Sequence, residues 1–224
     1  MELFNAWGEV ARDNGVQFIA HIGHNNLPDA RALATAAREA GANAISAMAP
    51  NFFKPADAVA LLDWFQRIVE PAEGLPFYFY DIPGFTGVTI DTAEFVQRAA
   101  AELPGFVGVK YTNPDCEQLA RILAMDEAPD MLWGCDEKMI DGWELGCRGA
   151  IGSSYNFAAA IYHRVMEAHA AGDMDAARKW QARSWKMIEA IAAHGYMHSA
   201  KAVMGMVGVD CGPARPTLQH GVVR

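Results

Sequence analysis

Lys110 has the clearest chemical potential in this sequence. It closes the apolar run FVGVK, where a side chain would stand among neighbouring strands. Burial without a partner disfavours an ammonium, and a neutral amine can add to a ketone to form a Schiff base. The same position also suits a lysine whose stem lies on apolar surface while its head reaches water. Tyr80 ends the preceding aromatic run, PFYFY. A phenol can relay protons or donate to a developing alkoxide, although an aromatic in such a run also reads as packing. The IPGFTG that follows predicts a turn able to hold it. Asp136 and Glu137 lie just past Gly134 at another run's end, where paired carboxylates could accept from a polyol or simply begin a helix. Gly152-Ser153-Ser154 could bind an anion or hydroxyl through N–H and O–H groups, or serve as a helix cap.

His194 and His198 are four apart, and His21 and His24 flank a strand end. No third ligand stands at suitable spacing, so these read as non-ligands. The Met-rich MHSAKAVMGMVGV reads as helix-packing material.

The elements that must position these groups alternate. A helix over 2–14 ends at Gly15, and VQFIAHI (16–22) reads as a buried strand. Pro28 opens a helix that Gly41 ends. Strand 43–48, a helix after Pro55 and strand 76–82 follow. Asp91 and Glu94 form a capping-box pattern for helix 92–101. Next come strand 106–111, a helix near 115–124, strand 131–135, a helix near 137–145 and strand 149–153. The stretch from 155 to about 207 reads as two or three helices, and the tail from 211 as loop. Strands alternating with helices imply a helix-covered parallel sheet. A doubly wound sheet and a (β/α)8 barrel both fit. No GxGxxG follows a strand. The unusual polar residues gather at strand ends, as in barrels.

The 224 residues are 52% hydrophobic and 20% charged, ample for one large core. A net charge of -9 and a pI near 5.2 argue against a nucleic-acid partner. The N-terminus lacks the basic and apolar regions of a signal peptide, and no run reaches the roughly 18 apolar residues of a membrane span. Cys116, Cys135, Cys147 and Cys211 form no CxxC pair. Reduced thiols and a cytoplasmic location are expected.

In order along the chain, FIAHIG (18–23), ANAISAMAPNFFKP (42–55), GLPFYFYDIPGFTGVTI (74–90), GFVGVKYTNPD (105–115), WGCDEKM (133–139), GAIGSSYN (149–156) and GPARPTL (212–218) resemble the N-acetylneuraminate lyase subgroup of the dihydrodipicolinate synthase superfamily. The Y-x-I-P-x-x-T-G and G-x-K-x-T patterns are its most specific marks. The resemblance implies an α/β TIM-type (β/α)8 barrel. It implies Lys110 as the Schiff-base lysine, Tyr80 as the proton shuttle and Thr112 lining the site. Gly134, Asp136, Glu137 and Ser153 match positions that hold the sugar's polyol. The implied reaction is retro-aldol cleavage of N-acetylneuraminate to N-acetylmannosamine and pyruvate. No cofactor or metal is implied, and a homo-oligomer, tetramer or dimer, is expected. Phe85 stands where dihydrodipicolinate synthases usually carry a carboxylate-binding arginine, and Phe53 lies near the place of a tyrosine reaching a neighbouring subunit. Other 2-keto-3-deoxy sugar-acid aldolases, a synthase-like enzyme and a non-catalytic sugar-binding protein stay open as alternatives.

One family feature is missing. The family's second strand ends in a G-G-[ST]-T-G-E loop that binds the pyruvate carboxylate, and no such loop occurs in this sequence. The resemblance therefore implies an incomplete barrel lacking its first two strands, shorter by roughly 50–60 residues at about 30 per β/α unit. Residues 1–154 would supply strands three to eight, and 155–224 extra C-terminal helices packed on the same single domain. Two unpaired strand edges would follow.

Overall fold

The computed structural model describes residues 1–218. Two compact units divide the chain, Met1–Leu132 and Trp133–Arg224. The first opens with α1 (Glu2–Asn14), which stops at Gly15 in a left-handed conformation. It continues through β1 (Ile19–His21), α2 (Leu27–Glu39), β2 (Ala44–Met48), α3 (Ala58–Val69) and β3 (Phe77–Asp81). After β3 come a one-turn helix α4 (Pro83–Thr86), α5 (Thr92–Glu102), β4 (Phe106–Tyr111), α6 (Cys116–Leu123) and β5 (Asp130–Trp133). The strands stand in chain order, β1-β2-β3-β4-β5. The pairs β1–β2, β2–β3 and β3–β4 are parallel.

Local chemistry accounts for these boundaries. Asp57 accepts from the Ala60 N–H at 2.8 Å and caps α3, and Asp91 accepts from the Glu94 N–H at 3.1 Å and caps α5. Such caps satisfy N–H groups that the first helical turn leaves unpaired. β1 is shorter than the apolar run implies. The Phe18 N–H donates to the Asn43 side chain rather than to a strand carbonyl, so the regular ladder starts at Ile19.

Alternation along the strands sends one face to the helices. Phe77 and Phe79 on β3 are buried. They meet Phe65 of α3 at ring-centroid distances of 5.0 and 5.3 Å. Phe95 of α5 lies 4.9 Å from Phe79 and 5.7 Å from Phe65. Such pairs add about 0.5–1.5 kcal/mol each beyond area burial, so this cluster is the anchor of the β3 backbone.

The second unit begins with the last residue of β5. It holds a 3-10 turn at Asp136–Lys138, α7 (Met139–Leu145), the two-residue β6 (Gly149–Ala150), α8 (Tyr155–Ala170), α9 (Met174–Ala192) and α10 (Tyr196–Met206). Within it, the Ile151 N–H donates to the Trp133 carbonyl at 2.9 Å. Its core packs Met139, Ile140, Ala158, Tyr162, Val165 and Ala177. The Met-rich stretch falls largely on α10, where Ala200 is buried. In the tail, Pro216–Leu218 forms a 3-10 turn where loop was expected, and the remainder of that expectation, 219–224, lies outside the described residues. Among the described residues no helix is long and apolar enough to cross a membrane.

Candidate active site

In the first unit, the face of the sheet turned away from the aromatic core carries the polar side chains. Phe77, Phe79 and Asp81 are buried, whereas Tyr78 and Tyr80 between them are half-buried. Parallel register sets Met48 opposite Tyr80 and Tyr80 opposite Lys110. The Lys110 Nζ then lies 3.7 Å from the centre of the Tyr80 ring, well within the reach of attraction between an ammonium and a ring face. Lys110 is half-buried. Two residues on, Thr112 is half-buried, and its N–H donates to the Asp81 carbonyl at 2.8 Å.

The helix-facing side of β3 holds these strand ends. The Asp81 carboxylate is 4% exposed and accepts from the Thr92 hydroxyl at 2.8 Å and the Asn113 amide at 2.9 Å. Burial pushes this carboxyl above its ordinary range, and the bonds from Asn113 and Thr92 pull the other way. The residues around the strand ends are open. Phe53 and Phe85 are 85% and 83% exposed, and neither side chain could pair with a carboxylate.

An amine beside a phenol on adjacent strands is the equipment for carbonyl addition with proton transfer. One member of this cluster escaped the sequence reading. His21 on β1 stands edge-on to Tyr80, with centroids 6.3 Å apart. Its only signal in sequence was a histidine closing a strand two residues before a glycine.

In the second unit, Gly134 and Glu137 are half-buried, Asp136 is buried and Ser153 is exposed. One Asp136 carboxylate oxygen accepts from the Ser154 N–H at 2.9 Å and from the Ser154 hydroxyl. The Ser154 hydroxyl also meets the Tyr162 hydroxyl at 2.5 Å. A Cβ at position 152 would stand 2.8 Å from Asp136 Cγ, so glycine admits the carboxylate. Asp136 thus ties the 3-10 turn to the start of α8. Glu137 is the more available carboxyl. Its pKa is raised, first by burial and then by the negative Asp136 beside it. The Ser153 hydroxyl pairs with the Tyr196 hydroxyl at 2.8 Å, a partner that sequence spacing did not announce. Among the described residues, no group of three or more His, Cys, Asp or Glu side chains gathers in a metal-holding arrangement.

The dihydrodipicolinate synthetase family model matches residues 1–220. N-acetylneuraminate lyase of Danio rerio is 33% identical over 217 residues, covering 95% of this chain and 71% of that protein. The solved N-acetylneuraminate lyase of Proteus mirabilis superposes with a TM-score of 0.91 at 28% identity, over 97% of this chain and 75% of the other. A Ruminococcus gnavus sialic acid aldolase, solved as a catalytic lysine mutant, superposes with a TM-score of 0.83 at 28% identity, over 94% and 69%.

Proposed function

The chain belongs to the dihydrodipicolinate synthetase family and, within it, to the N-acetylneuraminate lyase subgroup of carbon–carbon lyases, and from that premise we propose that it cleaves N-acetylneuraminate to N-acetylmannosamine and pyruvate through an imine on Lys110. The observation that carries this reading is the Lys110 amine 3.7 Å from the Tyr80 ring centre on the adjacent strand. That the Ruminococcus gnavus relative has a catalytic lysine supports the same assignment.

In this reaction the Lys110 amine adds to the C2 ketone of the open-chain sugar acid, the Tyr80 phenol gives its proton to the departing oxygen, and water leaves, giving an iminium. The resulting Tyr80 phenolate accepts the C4 hydroxyl proton as the C3–C4 bond breaks. The bonding pair flows into the iminium to give an enamine, and the C4 end departs as the aldehyde of N-acetylmannosamine. Protonation at C3 and hydrolysis return pyruvate and free lysine. An iminium is itself the electron sink, so the steps need no metal or cofactor. Thr112 lines the pyruvyl end. Gly134, Asp136, Glu137 and Ser153 are assigned to the polyol. In that assignment Asp136 acts by shaping the Ser153–Ser154 turn, while Glu137 and Ser153 present the accepting and donating groups. The net charge of -9 speaks against a nucleic-acid partner, and the reading takes the chain as a cytoplasmic homo-oligomer.

Pyruvate release from N-acetylneuraminate by the purified chain tests the reading. Turnover is expected, and Lys110→Ala should abolish it. Sugar-acid binding without turnover, unchanged in Lys110→Ala, would instead identify a binding protein.

A further inference from the structure

His21 takes a backbone duty that a strand carbonyl usually performs. Along β1–β2, the Ile22 N–H donates to the Ser46 carbonyl at 2.8 Å. Two residues further along β2, the Met48 N–H donates instead to His21 Nε2, at 3.3 Å. The imidazole reaches it by passing close under Gly23. A Cβ there would stand 2.7 Å from His21 Cε1 and 3.1 Å from both Nε2 and the Met48 nitrogen. Only a residue without a side chain leaves that space. The H-x-G pattern at 21–23 is therefore one device, a ring and the gap that admits it.

That device fixes the ring beside one row of the sheet. Because Nε2 accepts, the neutral ring carries its proton on Nδ1. The ring then stands nearly perpendicular to Tyr80, at 87°. Tyr80 is in register with Met48 on one side and Lys110 on the other. We propose that His21 is a positioning residue for the Lys110–Tyr80 pair, its ring nitrogen pinning the Met48 backbone that stands in register with Tyr80 and so holding the tyrosine against which the lysine rests. Burial and then the positive charge of Lys110 lower the pKa of His21, the direction that favours the neutral, accepting ring. This role rests on the Lys110 imine reading.

The test compares His21→Phe, which keeps a ring without an acceptor, with His21→Gln, whose amide oxygen can stand near the Nε2 position. His21→Phe should lower kcat for sugar-acid cleavage about tenfold, within the roughly hundredfold that a 1 Å misplacement can cost, and leave KM nearly unchanged. The Met48 N–H should exchange faster with solvent in His21→Phe, whereas His21→Gln should restore both rate and protection. Wild-type kcat and Met48 protection in folded His21→Phe would overturn the proposal. If His21→Phe does not fold, His21→Gln decides. A slow His21→Gln with Met48 still protected would mean that the imidazole does something other than position, and a fast one supports the role. Wild-type chain that never traps pyruvate on Lys110 would sink the imine reading, and the positioning role with it. Wild-type and His21→Phe chains that trap it equally fast would sink only the role of His21.

Discussion

The polar strand ends of the two units are used in opposite ways. In the first unit, Lys110 and Tyr80 are half-buried and meet each other through a ring-face contact. In the second, Asp136 is buried, and its carboxylate is taken up by the Ser154 N–H and hydroxyl. A group tied into several bonds holds the fold. A group held by packing and register alone can still change partners. In the proposed reaction the difference separates residues assigned to chemistry from residues that place a loop, although both stand at strand ends where barrels carry function.

Substitutions can break or sharpen that contrast. The largest effect after loss of the lysine itself should come from Tyr80→Phe. It should cut kcat about 10²–10⁴-fold, the usual contribution of a positioned acid–base group, with little change in urea midpoint. A Tyr80→Phe enzyme within a few-fold of wild type would take the phenol out of the chemistry and leave it as packing.

Asp136→Ala should show the reverse signature. It removes the acceptor of a buried N–H and a buried hydroxyl, and bonds to a charged group are worth about 1.5–3 kcal/mol each in net terms. Unfolding by urea should show a loss of about 3 kcal/mol, whereas Lys110→Ala should leave stability nearly unchanged. Equal destabilisation by the two would erase the distinction drawn between the units.

The smallest effect should come from Asp81→Asn. Burial raises the folded-state pKa of Asp81. Folding then favours the protonated form, so this group's stabilising contribution is present at low pH and is lost as pH rises from the ordinary carboxylate range through the raised value. An amide oxygen can still accept from Thr92 and Asn113 and cannot ionise. Asp81→Asn should melt modestly higher than wild type near neutral pH, and that advantage should vanish in acid. A lower melting temperature at neutral pH would show that the carboxylate charge itself is needed there.

Much of this architecture was legible in the sequence because it rests on local rules. The strand at 106–111 has the bounds its apolar run implies, and the Asp91 cap of α5 follows from spacing. The one-turn helix at Pro83–Thr86 is too short for periodicity to reveal, and a turn was expected there. Lys110 and Tyr80 could be named singly, but their approach depends on the parallel register of β3 and β4, which no local pattern encodes. The same holds for the bond from Met48 to His21, 27 positions apart, and for Ser153 with Tyr196, 43 apart. A buried anchor such as Asp136 and a half-buried carboxyl such as Glu137 look alike in sequence. Only their partners distinguish them.

Borohydride reduction in the presence of pyruvate tests the central claim most directly. Peptide mass mapping should find a single reduced pyruvyl adduct, on the peptide carrying Lys110, and none in Lys110→Ala. Folded chain that gives no adduct, or an adduct that persists in Lys110→Ala, would contradict the account.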